Sequence, residues 1–166
     1  FGTKADKIKL TGSGTQIDSE ELEKQDYSDL NQVISSAPGV YVREEDGFGL
    51  RPNIGIRGAT SDRSQKITLM EDGVLITPAP YSAPAAYYIT NASRLHAVEV
   101  LKGPSAIQAG PHTVGGAVNL VTRPVPTQDL TEVELTTGTD SFHKIAGSLG
   151  RVNDNFGFIL NALSYG

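Results

Sequence analysis

The chain has 166 residues, which is the length of one domain, or of one domain with a fragment attached. Its 14 Lys and Arg against 19 Asp and Glu give a net charge of −5, which argues against nucleic acid as a partner. The absence of cysteine excludes disulfides, thiolate metal sites and cysteine nucleophiles, and 18 Gly with 9 Pro predict a fold rich in turns.

The first part of the chain predicts two short helices and then short strands. Asp18, followed by Glu21 three residues later, forms a capping-box pattern and predicts a helix over about 18–25. A second helix is predicted to begin at Ser28 and to end before Pro38, since proline cannot continue a helix. Short alternating segments then predict strands at 40–43 and 54–57.

The middle of the chain predicts a hairpin, a loop and two further strands. The pair Asp72-Gly73 separates two apolar runs, which predicts a β-hairpin across 67–76. Residues 77–90 hold three prolines and three tyrosines and predict a loop that displays the tyrosines as a binding surface. The later elements are a strand near 97–101, a capped helical turn at 103–110 and a strand at 116–122.

The pattern changes after a proline-containing linker at 123–129. Three alternating segments follow, which predict an antiparallel meander or the beginning of a barrel, at about 132–137, 142–149 and 156–163. Three strands with no closing partner leave an open edge, so we expect the barrel to be truncated in this sequence.

Four segments, in this order and spacing, resemble the plug domain of TonB-dependent outer-membrane receptors. They are Pro-Asn-Ile-Gly-Ile-Arg-Gly at 52–58, Ile67–Leu75, Val98–Pro104 and Gly115–Thr122. The resemblance implies an α+β fold, with a small mixed β-sheet and short helices at 1–126 and the first antiparallel strands of a truncated outer-membrane β-barrel at 127–166. It also implies a receptor without enzymatic activity in the outer membrane of a Gram-negative bacterium, with the signal peptide absent from this sequence.

Residues 50–53 and 79–88 are similar to those of ferric-dicitrate-type siderophore receptors. This implies a gate for uptake of a ferric chelate, with ferric citrate or another siderophore as the transported ligand and no resident cofactor. Because such chelates are anionic, we expect cations and hydroxyl groups on the plug loops to bind them. The expected ligand-binding residues are Arg51, Arg63, Ser64, Lys66, Tyr81, Ser82 and Tyr87. The alternative is that the cations are solvated and the tyrosines pack against the barrel wall.

The resemblance also implies a charged latch between plug and barrel, formed by Arg57, Glu99 and Lys102. Arg57 follows an alternating strand, so we expect it to be carried into the interior. A buried ion pair that loses one partner leaves an uncompensated charge, which gives such a cluster the properties of a latch. The alternative is an ordinary salt bridge that stabilises the fold.

Three partners are implied: TonB, a ferric siderophore and the rest of the β-barrel. TonB would bind an N-terminal Ton box by strand addition. Asp6–Gly12 has lysines where apolar or neutral residues are usual, so we expect the Ton box to lie upstream. The alternatives are haem, cobalamin or another metal complex as cargo, a signalling extension before Phe1, or a free-standing ligand-binding module. No metal site is expected, because the histidines lack ligand spacing.

Overall fold

The computed structural model describes residues 12–25, 27, 29–45, 49–76, 88–110 and 113–166. The chain divides into two compact units, the first ending at Thr122 and the second spanning Arg123–Gly166. The functional boundary between residues 126 and 127 stays a prediction.

The first unit is built on a five-stranded mixed sheet and a two-stranded sheet. Its strands are β1 Ser13–Ile17, β2 Val40–Arg43, β3 Asn53–Ile56, β4 Ile67–Glu71, β5 Val74–Leu75, β6 Leu95–Lys102 and β7 Gly116–Thr122. The larger sheet has the order β1-β6-β7-β4-β5, in which β4 and β7 are parallel and the other neighbours are antiparallel. Strands β2 and β3 form the antiparallel pair.

The helices begin at side-chain caps. In α1, Ser19–Gln25, the amide of Glu21 donates to the Asp18 carboxylate at 3.2 Å, which confirms the predicted cap. In α2, Leu30–Ser35, the cap is Asp29, whose carboxylate accepts from the amide of Asn31 at 2.7 Å. The predicted start at Ser28 is therefore wrong, since the capping carboxylate lies one residue later. Within the described part of the first unit, 3₁₀ segments lie at Asp62–Ser64, Ala92–Arg94 and Pro104–Ala109.

The main core lies between α2 and one face of the larger sheet. Leu30, Val33 and Ile34 share the inner side of α2 and pack in one cluster with apolar residues of the strands. Successive residues of β6 alternate between faces: Val98 and Val100 belong to this core, whereas Leu101 belongs to a smaller cluster on the other face. This alternation decides where the charged residues of β6 can lie.

The predicted β-hairpin is confirmed. Strands β4 and β5 are joined by Asp72 at φ 49° and Gly73 at φ 78°. Positive φ at both central residues is the signature of a type I′ turn, for which Asp-Gly is a favoured pair.

The second unit is a three-stranded antiparallel sheet, as predicted. Its strands are β8 Leu130–Thr137, β9 His143–Asn153 and β10 Phe156–Tyr165, in the order β10-β9-β8. Val133, Leu135 and Ile145 leave an apolar row exposed, whereas Lys144 is buried and contacts Glu134 at 2.6 Å. In the part of the chain that the structure describes, no helix has the length and apolar character needed to cross a membrane.

Candidate functional site: an arginine cluster around Asn53

Three arginines meet at one buried side chain. Asn53, the first residue of β3, is 2% exposed. Its Nδ2 donates to the carbonyl oxygens of Arg43 at 3.2 Å and Arg51 at 3.4 Å, and its Oδ1 accepts from the amide of Arg63 at 2.8 Å. These bonds use the backbones of the arginines, and all three residues are exposed to solvent. We call Arg43, Arg51 and Arg63 the arginine cluster.

The segment that carries Arg63 has a constrained backbone. Arg63 and Ser64 have φ of 48° and 54°, a conformation that costs roughly 1–2 kcal/mol per residue for side chains other than glycine. Ser64 is fully buried, and its hydroxyl accepts from the amide of Ile54 and donates to the carbonyl of Pro52, both at 2.9 Å. Ser64 therefore anchors this segment to β3. Its expected contact with a ligand stays a prediction, and its hydroxyl is buried and engaged within the unit.

Two carboxylates approach the arginine cluster without neutralising it tightly. Arg43 Nη2 lies 3.7 Å from Glu45 Oε1 and 3.8 Å from Asp62 Oδ1, and all three side chains are well exposed. Exposed pairs at such distances contribute little stability, about 0–1 kcal/mol. Arg43 was missed in the sequence because its place beside Asn53 follows from the register of β2 and β3. An incoming anion could therefore compete for this guanidinium at small cost.

The remaining expected ligand contacts are only partly described. Lys66, just before β4, is exposed, and its carbonyl accepts from the amide of Gly115 at 2.6 Å. The expected contacts Tyr81, Ser82 and Tyr87 lie outside the described residues.

A polar group near the end of β4 involves a further tyrosine. The hydroxyl of Tyr88 donates to Glu71 at 2.9 Å and accepts from Arg94 at 3.3 Å. Arg94 also lies 3.4 Å from the Glu71 carboxylate. Tyr88 thus forms hydrogen bonds with Glu71 and Arg94. It takes no part in the contacts that define the arginine cluster.

Lys102 and Arg57 are brought together at the end of β6. Lys102 is 3% exposed, and its Nζ donates to Thr15 Oγ1 at 2.8 Å and to the Pro38 carbonyl at 2.7 Å. Burial, and to a smaller extent the nearby charge of Arg57, lowers the pKa of Lys102. The structure does not show the expected interior position of Arg57: β3 ends at Ile56, and Arg57, at φ 52°, is exposed in this chain.

Glu99 lies on the opposite face of the sheet from Lys102. Residues three apart on a strand point to opposite faces, so the two charged side chains cannot meet across β6. The buried Glu99 carboxylate instead accepts from Asn119 Nδ2 at 2.9 Å, and Asn119 Oδ1 accepts from the Gly73 amide at 2.8 Å. Glu99 thus supports the hairpin turn. The predicted latch role of Arg57, Glu99 and Lys102 stays a prediction, and the structure does not unite the three.

The family is decided by a match over most of the chain. The family model described as "TonB-dependent Receptor Plug Domain" matches residues 6–117. The chain belongs to this plug-domain family. The plug is therefore a component of a receptor of the Gram-negative outer membrane, and its family consists of transport proteins, not enzymes.

Individual relatives agree with this assignment. The plug is 28% identical over 136 residues to the vitamin B12 transporter BtuB of Vibrio vulnificus strain YJ016, covering 81% of this chain and 22% of that protein. It superposes on the unliganded ferric citrate transporter FecA with a TM-score of 0.79 and 27% identity, covering 98% of this chain and 26% of that one. The siderophore receptor PirA of Acinetobacter baumannii, 22% identical, gives a TM-score of 0.74 over 99% of this chain and 26% of that chain, which supports the fold.

The α+β fold predicted from the sequence, with a mixed sheet followed by antiparallel strands, is confirmed. The chain spans about a quarter or less of the length of these relatives. Among the described residues, no group of three or more His, Asp or Glu side chains could hold a metal ion.

Proposed function

We propose that this plug gates the uptake of an anionic ferric chelate, with ferric citrate as the leading cargo. The observation that carries the proposal is the arginine cluster, in which three exposed arginines are held around one buried amide. Guanidinium groups bind carboxylates through paired, charge-assisted hydrogen bonds, and the citrate ligands of the iron supply such carboxylates. Because the chain carries a net charge of −5, binding of an anionic cargo would depend on local cations such as these.

The proposed ligand contacts extend beyond the arginine cluster. Lys66 follows the segment that carries Arg63 and adds a fourth exposed cation. Tyr81, Ser82 and Tyr87 are retained as proposed contacts on sequence grounds, since hydroxyl groups can donate to chelate oxygens. The chelate is the transported ligand, and no resident cofactor is proposed.

The proposed partners are TonB and the barrel of the same receptor. TonB would bind a Ton box upstream of this chain or at residues 6–12, and movement of the plug would open the path for the cargo. The charge of Arg57 contributes to the lowered pKa of the buried Lys102, so the two groups lie near each other, and we propose that the exposed Arg57, with Lys102 beside it, contacts the barrel as a latch. An Arg57→Ala receptor should then bind cargo but transport it poorly; unchanged transport would contradict the latch.

Cobalamin is the second candidate cargo. It is favoured by two relatives named as vitamin B12 transporters, at 26% and 28% identity. The arginine cluster favours the anionic chelate, because it supplies three exposed arginines and guanidinium groups are suited to carboxylates.

The proposal is tested with Arg63→Ala/Lys66→Ala in the complete receptor. Binding is measured by isothermal titration for ferric dicitrate and for a neutral ferric trihydroxamate. We expect the affinity for ferric dicitrate to fall about tenfold or more, equivalent to about 1.4 kcal/mol, and that for the neutral chelate to change little. The matched control is Lys24→Ala/Arg94→Ala, which removes the same charge elsewhere on the unit. Equal losses for both chelates, or equal losses in both double variants, would contradict the electrostatic account.

A further inference from the structure

The arginine cluster is drawn from three separate stretches of chain. Arg43 ends β2, Arg51 lies in the loop before β3, and Arg63 lies in the 3₁₀ segment that precedes β4. The Asn53 side chain contacts all three stretches, with two donated bonds and one accepted bond. Since Asn53 is 2% exposed, its amide is shielded from water and its hydrogen bonds are not exchanged easily for solvent.

Asn53 has the chemistry that such a cluster requires. Like charges on neighbouring segments repel one another, and the bonds from Asn53 to the three backbones oppose separation of these segments. A carboxylate at this position could accept from Arg63, but it could not donate to the two carbonyl oxygens and would neutralise part of the positive field. The neutral amide bonds to all three backbones and adds no negative charge beside the arginines.

The backbone of Arg63 depends most strongly on this contact. At φ 48°, the backbone of a residue other than glycine is strained. Relaxation to an ordinary conformation would turn the Arg63 side chain in a different direction. The 2.8 Å bond from the Arg63 amide to Asn53 Oδ1 opposes that relaxation, with the buried Ser64 hydroxyl as a second anchor. The direction of the Arg63 side chain is therefore linked to a residue that is itself buried.

We propose that Asn53 is a positioning residue for anion recognition: it acts through the backbone of the arginine cluster, above all Arg63, and sets the arrangement of charges that an anionic carboxylate chelate meets. This inference rests on the proposed function, because it assigns to Asn53 a role in binding the same cargo. Asn53 itself is not a ligand contact, since its side chain is buried and engaged with the chain's own backbone.

The test is a double-mutant cycle between Asn53→Ala and Arg63→Ala in the complete receptor, with ferric dicitrate as the probe. We expect Asn53→Ala alone to weaken binding about tenfold and to have little further effect when Arg63 is already alanine. A residue with a merely structural role would cause the same loss in both backgrounds. If Asn53→Ala fails to fold, Asn53→Ser is used in the same cycle.

A matched control and a ligand-free readout sharpen the test. Asn119→Ala removes another buried amide, 5% exposed, that bonds to Glu99 and the Gly73 amide, far along the chain from the arginines. We expect Asn119→Ala to leave ferric dicitrate affinity unchanged. Hydrogen exchange of the Arg63 amide should accelerate in Asn53→Ala and stay slow in Asn119→Ala.

The outcomes distinguish failure of the positioning role of Asn53 from failure of the proposed function. Equal losses from Asn53→Ala in both backgrounds, an equal loss from Asn119→Ala, or unchanged exchange of the Arg63 amide would overturn the positioning role while leaving the proposed function intact. Absence of ferric dicitrate binding by the wild-type receptor, or no effect of Arg63→Ala, would instead overturn the proposed function and the inference that rests on it.

Discussion

The contact between Lys102 and Thr15 gives a prediction about how firmly β1 is held. Lys102 is buried, and its ammonium group has two neutral acceptors, Thr15 Oγ1 on β1 and the Pro38 carbonyl after α2. Thr15→Val keeps the shape of the side chain but replaces the acceptor with a methyl group. Because a hydrogen bond to a charged group contributes about 1.5–3 kcal/mol, we expect the free energy of unfolding of the first unit to fall by about 2 kcal/mol at pH 7.

The pH dependence of this loss follows from the direction of the Lys102 pKa. Burial lowers that pKa below its ordinary value of 10.5, so between the folded value and 10.5 the unfolded chain binds more protons than the folded chain. The contribution of Lys102 to stability therefore rises with pH across this window. Thr15→Val should lower the folded pKa further, because the charged form loses an acceptor. The difference between wild type and variant should be largest at the lower pH and shrink towards about 1 kcal/mol, the value for a neutral hydrogen bond, as the pH approaches 10.5.

The assay is native-state hydrogen exchange of the β1 and β6 amides in urea, followed by mass spectrometry from pH 7 to pH 10. Peptides from these strands report on the first unit without a contribution from the second. Thr137→Val, on the exposed end of β8, is the control and should show neither the loss nor its pH dependence. Two results would refute the reasoning. One is a free energy of unfolding for Thr15→Val within about 0.5 kcal/mol of wild type, the usual range for surface substitutions. The other is a loss of stability that does not change with pH.

Two further substitutions test close packing and backbone strain. Gly55 lies under the Tyr41 ring, whose hydroxyl donates to the Ala59 carbonyl, so Gly55→Ala should cost about 1–3 kcal/mol by displacing the ring. In a Tyr41→Ala background, urea denaturation should show a smaller cost, with the remainder due to the Ala59 carbonyl oxygen 2.7 Å from the added Cβ; an unchanged cost would argue against the clash with the ring. Arg63→Gly removes the positive-φ strain, so it should be more stable than Arg63→Ala by about 1 kcal/mol while both lose ferric dicitrate affinity alike. Equal stability of the two variants would contradict the strain.

Features set by a few neighbouring residues were predictable from the sequence. The Asp18 cap of α1 and the Asp-Gly turn of the hairpin depend on residues two or three apart, so their physical causes lie within one short window. The predicted start of α2 was wrong because Ser28 and Asp29 are both residue types that cap helices well. The backbone conformation decides which of the two side chains reaches the first amides, and here it is Asp29.

Features that depend on strand pairing were harder to predict from the sequence. Asn53 contacts residues up to ten positions away, and its place beside Arg43 is a matter of register. The separation of Glu99 and Lys102 could have been predicted, since an odd spacing on a strand places two side chains on opposite faces. The resemblance to the family placed Glu99 and Lys102 in one cluster, whereas the pleat of β6 puts their side chains on opposite faces of the sheet.

The central claim, that the plug serves an anionic ferric chelate, is tested most directly by titrating the complete receptor with ferric dicitrate and with vitamin B12 at low and high salt. We expect ferric dicitrate to bind, with an affinity that falls as salt screens the arginine cluster, and vitamin B12 to show no comparable binding. Binding of vitamin B12 without any response to ferric dicitrate would contradict the account.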